Sequence, residues 1–209
     1  GLTVAACDVV GDWAEVNQPK DISHFVLGTK AETLARLRSM ISTAVIQEQV
    51  SFTTAQWQQS PDKILQTIRE KFADIPVVVR SSARSEDGFT HSNAGAYTSL
   101  LSVDVHTGLE AAVETVISSY HNLQPDDQVL IQPMVQQVVM SGVAFTRTLQ
   151  RGAPWYVINY EVSGSTDGIT SGRSNDHRTL YVRRDSKKEQ VAEQRLIPLI
   201  NTLKEIEHL

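Results

Sequence analysis

The stretch VVVRSSARSEDG, residues 77–88, changes from apolar to polar residues at Arg80. Three valines precede the arginine, and β-branched residues favour a buried strand. Serines, alternating charges and a glycine follow, which are typical of a turn or loop. The sequence therefore predicts a buried strand over 77–80 that ends on an arginine able to bind an anion.

Patterns of both helix and strand flank this segment. Thr29 and Glu32 have the spacing of a capping box, which predicts a helix that starts at Lys30, and Ser60-Pro61-Asp62 is typical of a second helix start. Apolar spacing predicts further helices over 109–120 and 197–206. The other predicted strands are 45–52, 97–103, 129–135, 141–147, 155–162 and 179–184, and GSTDGITSGRSND, 164–176, has the composition of a loop.

The order of these elements favours an α+β fold. Several predicted strands follow one another directly, which fits two lobes of mixed structure better than a doubly wound parallel sheet. We place the lobe boundary near Pro125 or Pro133, with tentative lobes of 1–132 and 133–209.

Composition excludes several classes of function. The 209 residues carry a net charge of -5 with scattered basic residues, so neither nucleic acid nor an anionic membrane is an expected partner. The lone Cys7 allows no intrachain disulfide and favours a reducing compartment, and with no long apolar segment we expect a cytoplasmic protein. The six histidines show no metal-ligand spacing, and we predict no metal ligands in this chain.

Three motifs together carry a family resemblance. VVVRSSARSEDGFTHSNAGAYTSLLSV, read with IQPMV and SGVAFTR further along, resembles the ATP-binding N-terminal domain of phosphoenolpyruvate synthase and pyruvate phosphate dikinase. GTKAETL, 28–34, is similar to that family's glycine-lysine segment. The resemblance implies an ATP-grasp-like fold whose two lobes clamp ATP and pass a phosphoryl group to a histidine on a separate domain.

The resemblance also assigns site residues. Lys30 matches a lysine that contacts ATP phosphate, and Arg80 matches the arginine of the VRSS motif, so both are candidate catalytic residues. Ser99 takes the place of a threonine in a phosphate-binding AGxxxT loop. The implied cofactor-binding residues are Lys30, Arg80, Gly95, Ser99, Gln132 and Met134. The match of 161–172 to a glycine-rich GLGE-type loop rests on Gly164 and Gly172.

Other parts of the family pattern are not matched. The resemblance places the ligands of ATP-bound Mg²⁺ and a further phosphate-binding arginine after Leu209, and no histidine here matches the family's phosphohistidine motif. We therefore expect this chain to be a fragment of a longer phosphotransferase, and to be inactive alone.

The residues themselves support this interpretation and leave alternatives open. Phosphoryl transfer requires positive charge around the phosphates, and Lys30 in a first helical turn opposes the helix macrodipole unless an anion lies near it. Taken alone, however, Lys30 can be a surface lysine, and Arg80 can pair with Glu86 or Asp87. Gln132 can equally serve backbone groups, and Met134 can fill the core.

Three other functions also fit the pattern. The parent protein can sense ATP without transferring phosphate, or keep the fold only as an interaction domain. Related phosphotransferases that act on antibiotics or glucans share this type of ATP domain, and their acceptor is chosen by other domains.

Overall fold

The computed structural model describes residues 28–83, 98–162 and 177–209. Helices and strands alternate irregularly along these ranges. The helices are α1 (Lys30–Met40), α2 (Thr54–Gln59), α3 (Pro61–Phe72), α4 (Leu109–Ser118) and α5 (Ile197–Ile206). The strands are β1 (Val50–Thr53), β2 (Val77–Ser82), β3 (Ser99–Val103), β4 (Gln128–Pro133), β5 (Ser141–Phe145), β6 (Trp155–Glu161) and β7 (Arg178–Arg183). This mixture confirms the α+β class.

The first sheet has the strand order β1-β4-β2-β3, and each neighbouring pair is antiparallel. One face is apolar because Val77 and Val79 of β2 and Val129 and Ile131 of β4 all point to it, and all four are fully buried. Helices α2, α3 and α4 cover this face. Their contribution to the core includes Trp57, Leu65, Ile68, Phe72, Leu109, Val113 and Val116.

The opposite face of the first sheet is more polar. Strand alternation puts Arg80 and Ser82 on it, because Val79 and Ser81 point the other way. Across the sheet, Arg80 lies opposite Leu130, and Ser82 lies opposite Gln128. Helix α1 contacts β4 on this side.

The second sheet has the order β5-β6-β7 and is also antiparallel. Tyr156, Ile158 and Tyr160 of β6 point to the face that α5 covers. Around them lies a second hydrophobic cluster, which includes Val182, Val191, Leu196, Ile200 and Leu203. The buried residues of the first cluster lie between 52 and 131 and those of the second between 156 and 203, and the tentative lobes 1–132 and 133–209 stay a prediction.

A carboxylate joins α5 to the segment that follows α1. Glu205 accepts hydrogen bonds from the backbone N–H of Ser42 at 2.8 Å and of Thr43 at 3.0 Å, and from both hydroxyls. The Thr202 hydroxyl lies 3.0 Å from the Thr43 hydroxyl and donates to the Thr43 carbonyl at 3.2 Å. The donors, with the Thr43 hydroxyl the largest influence, lower the pKa of Glu205 from its ordinary 4.5 to about 2.

The predicted helices agree with the structure. Helix α1 starts at Lys30 with the Thr29–Glu32 capping box formed, and Pro61 begins α3, although the Ser60 side chain makes no capping hydrogen bond. The core face of α3 is also as predicted. The loop prediction for 164–176 falls entirely on residues outside the described part of the chain.

The structure differs from the predictions at three places. Strand β2 continues to Ser82, two residues beyond the predicted end at Arg80, because Ser81 and Ser82 still pair with Val129 and Gln128 of β4. The strand predicted over 45–52 begins only at Val50, because the residue before it turns toward α1, where the Gln49 side chain donates to the carbonyl of Ala31 at 2.8 Å. Helix α2 was not predicted at all. Its signal is present in the sequence, because Thr53 and Gln56 form a complete capping box.

Within 28–83, 98–162 and 177–209, no helix is both long and apolar enough to cross a bilayer.

Acid should loosen the attachment of α5. The folded-state pKa of Glu205 lies below its unfolded value, so its contribution to stability is complete above pH 4.5 and is lost as the pH falls toward 2. The protection factors of the α5 amides, which are exchange rates corrected for the intrinsic pH dependence, should therefore fall over this range in the wild-type chain. Glu205→Gln should show lower protection factors already at pH 7 and a flatter pH profile.

The exposed Glu189→Gln variant is the control, since Glu189 lies in a 3₁₀ turn before α5. Identical pH profiles for wild type and Glu205→Gln would contradict this role of the carboxylate.

Candidate functional site

The site begins at the first turn of α1. Gly28 has a φ of 69°, and a Cβ there would overlap the Glu32 carboxylate oxygen Oε2 and lie 3.0 Å from Glu32 Cβ. Glycine therefore lets the chain enter the helix while Glu32 folds back to accept from Thr29 N–H at 2.8 Å. Thr29 in turn accepts from the N–H of Glu32.

The Gln128 side chain of β4 fixes this capped helix end to the first sheet. Thr29 Oγ1 donates to Gln128 Oε1 at 2.8 Å, and Gln128 Nε2 donates to Glu32 Oε1 at 3.1 Å. Thr29 is buried, so these bonds are shielded from water. One amide side chain thus holds both members of the capping box.

The VRSS motif supplies the other attachment. Ala31 N–H donates to Ser82 Oγ at 2.9 Å, and both residues are buried. The backbone N–H of Ser82 donates to the Tyr120 hydroxyl at 3.2 Å, and that hydroxyl donates to the carbonyl of Gln128. Ser82 therefore connects α1, the end of β2 and Tyr120, which lies two residues after α4.

This attachment places Lys30 close to the carbonyl of Ser81, the residue after Arg80. Lys30 Nζ lies 3.3 Å from the carbonyl oxygen of Ser81, although 51 positions separate the two residues. Both Lys30 and Arg80 are half-buried. Arg80 lies directly opposite Ser99 of β3, which is exposed. Three of the predicted site residues therefore lie around one end of β2.

The remaining predicted residues are distributed differently. Gln132 lies opposite Val78 on the same sheet face and is only 8% exposed. Met134 follows β4, and its N–H donates to the carbonyl of Pro76 at 2.8 Å, which places it next to the start of β2. Gly95, together with the alternative partners Glu86 and Asp87 of Arg80, lies outside the described residues.

The start of α1 already holds an anion, so the position of Lys30 in the first turn does not by itself indicate a bound ligand. The anion at the start of α1 is the Glu32 carboxylate, and the N–H groups of Ala31 and Glu32 already have protein acceptors. The first turn therefore needs no bound ligand to balance its dipole.

Sequence reasoning missed the two residues that hold the site together, Gln128 and Tyr120. Gln128 had no signal, because a polar residue at the start of a strand is common. Tyr120 was predicted only as part of a buried helix face, and the need of a buried phenol for a hydrogen-bond partner was the signal that could have been used.

A separate cavity lies on the second sheet. It has a volume of about 610 Å³ and is lined on its sheet side by Phe145, Trp155, Val157 and Tyr181, with the 148–153 turn at its edge. No residue of the first sheet lines it. Nor does the described part of the chain contain a group of three or more His, Cys, Asp or Glu residues that could hold a metal ion.

Comparison with known proteins identifies the family. Residues 20–126, just over half of the chain, match the family described as "Pyruvate phosphate dikinase, AMP/ATP-binding domain", and the chain belongs to this family. This confirms the resemblance found in the sequence motifs.

Individual proteins add little to this result. A search of curated proteins finds no match. Among solved structures, the chain is similar to the crystal structure of PH1788 from Pyrococcus horikoshii Ot3, with 12% identity, a TM-score of 0.47, and coverage of 85% of this chain and 74% of that one.

Replacing Gly28 should destabilise the site more than replacing a glycine of similar backbone conformation. Gly152 has a φ of 61° with open space where a Cβ would be, so Gly152→Ala should cost only the left-handed strain, about 1 kcal/mol. Gly28→Ala should cost about 1 kcal/mol more, because Glu32 must leave the cap. Urea unfolding of both variants measures the difference. Equal losses would show that the Glu32 contact contributes nothing.

Proposed function

We propose that this chain is the ATP-binding part of a phosphoenolpyruvate synthase-like phosphotransferase, with the nucleotide bound on the α1 side of the first sheet. An ATP-grasp-like arrangement, in which the second sheet closes over the nucleotide from the other lobe, is part of this proposal. Family membership supports ATP as the ligand. The observation that carries the location is the contact of Lys30 Nζ with the Ser81 carbonyl, beside Arg80.

The residues around this contact suit a polyphosphate. An ammonium and a guanidinium near one strand end supply two positive charges, and the exposed hydroxyl of Ser99 adds a donor across from Arg80. Glu32 is the nearby carboxylate, and each of its oxygens already accepts a hydrogen bond from the cap or from Gln128. Both oxygens of Glu32 therefore face protein donors, which reduces the repulsion between this carboxylate and the proposed phosphates.

The base of the nucleotide would lie toward the other end of β4. Gln132 and Met134 are the candidates for this contact, and both lie beside the start of β2, on the far side of Arg80 from Ser82. A nucleotide extended along β2 would then reach Gln132 with its base and Arg80 with its phosphates.

Transfer of the phosphoryl group is a further step of the proposal. We infer that the acceptor is a histidine on a separate domain of a longer protein, as the family resemblance of the sequence motifs implies. Bound Mg²⁺ would neutralise the phosphates and polarise the bond that breaks. Lys30 and Arg80 would hold the phosphates in position and stabilise the negative charge that develops on them.

Arg80→Lys should weaken ATP binding about tenfold or more and leave the melting temperature nearly unchanged, because lysine lacks the planar fork that binds two phosphate oxygens. Isothermal titration calorimetry with ATP measures the affinity. Arg151→Lys is the matched control, since Arg151 is an exposed residue at the cavity of the second sheet.

Loss of affinity in Arg151→Lys alone would move the nucleotide to that cavity. A large drop in melting temperature for Arg80→Lys would instead favour a structural ion pair.

Labelling distinguishes transfer from ATP sensing. The full-length parent protein, incubated with radiolabelled ATP and magnesium, should acquire an acid-labile, base-stable label on a histidine outside this chain. The isolated chain should bind ATP and remain unlabelled. ATP binding by the parent protein with no labelled histidine would favour a sensor.

A further inference from the structure

Glu161 is a buried carboxylate of the second sheet. It ends β6 and is only 2% exposed. Within the described residues its hydrogen bond comes from the Ser141 hydroxyl, with 3.3 Å between Oγ and Oε1, and no cation there forms an ion pair with it. Buried carboxylates are normally paired with a cation or fully hydrogen-bonded. A carboxylate can accept about four hydrogen bonds, so Glu161, with one described donor, can accept more.

The register of the second sheet defines the face on which the Glu161 side chain lies. Ser141 lies directly opposite Glu161, and the two side chains share one face. The neighbouring Tyr160 packs toward α5 on the other face. Alternation therefore places Glu161 on the face that α5 leaves uncovered, together with Asn159 and Val157.

Chain connectivity links the end of the second sheet that carries Glu161 to the strand that carries Gln132. Ser141 is the first residue of β5, and residues 134–140 join it to the end of β4, which carries Gln132. Glu161 consequently lies at the end of the second sheet that this connection enters. Asn159 and Trp155 follow along β6 with increasing distance from that end.

A carboxylate is negatively charged and only accepts hydrogen bonds, which limits the part of a nucleotide that it can contact. Its negative charge repels a triphosphate, whereas the vicinal hydroxyls of a ribose are neutral donors that one carboxylate can accept together. We propose that Glu161 accepts hydrogen bonds from the ribose hydroxyls of ATP. The inference rests on the proposed function, and it orients the nucleotide with its sugar toward the 134–140 connection and its phosphates toward Lys30 and Arg80.

The test compares two nucleotides on two proteins. Wild type should bind ATP about tenfold or more tightly than 2′,3′-dideoxy-ATP, the size expected for hydrogen bonds to a charged group. Glu161→Gln should lose most of this preference by weakening ATP while leaving dideoxy-ATP nearly unchanged. Glu189→Gln, an exposed carboxylate of the same part of the chain, should behave like wild type. Calorimetry with and without magnesium gives all the affinities, and thermal melting checks the fold of each variant.

The outcomes separate this inference from the proposed function. Equal affinity of wild type for the two nucleotides would overturn the inference, even if Glu161→Gln failed to fold. Equal weakening of both nucleotides by Glu161→Gln, or an effect that appears only with magnesium, would also overturn it and indicate a structural or metal-binding role. Failure of wild type to bind either nucleotide would overturn the proposed function and the inference with it.

Discussion

The site depends on the attachment of the first turn of α1 to the end of β2. A single buried hydrogen bond, from Ala31 N–H to Ser82 Oγ, brings together residues 51 positions apart in sequence. Without an acceptor there, a buried N–H would remain unsatisfied, at a cost of about 1–3 kcal/mol. Gln128 strengthens the attachment by holding both members of the capping box. Lys30 reaches the carbonyl of Ser81, the residue after Arg80, from the turn that these hydrogen bonds fix.

Helix α1 also connects the site to the second sheet. Its first turn is bound to β2 and β4, and the segment just after its last turn binds Glu205 and Thr202 of α5. A movement of α5 relative to the first sheet would therefore act on the helix that positions Lys30. In a two-lobed nucleotide clamp, such a helix would couple closure of the second lobe to the phosphate contacts.

The local structure could be predicted from the sequence to a large extent. The Thr29–Glu32 capping box is a short-range signal, and the helix it predicts begins at the expected residue. The valines of β2 likewise identify a buried strand by composition alone. Arg80 and Lys30 were found through the motifs of a family that the chain proves to share, since their charge has no periodic pattern to reveal it.

The long-range contacts could not be predicted in the same way. Gln128 and Tyr120 matter because the sheet places them beside α1 and Ser82, and pairing across a sheet depends on register, which the sequence of one strand does not fix. Glu161 is a similar case. Nothing in its neighbours distinguishes it from a surface carboxylate until the pairing of Ser141 with Glu161 shows that it is buried.

Photolabelling with 8-azido-ATP tests the location of the nucleotide most directly. The reagent reacts through its base, so the labelled peptide reports the position of the base. We expect the label on the peptide that contains Gln132 and Met134, with protection by excess ATP. Label confined to peptides that line the cavity of the second sheet, at Leu149 or Tyr181, would contradict nucleotide binding on the α1 side of the first sheet.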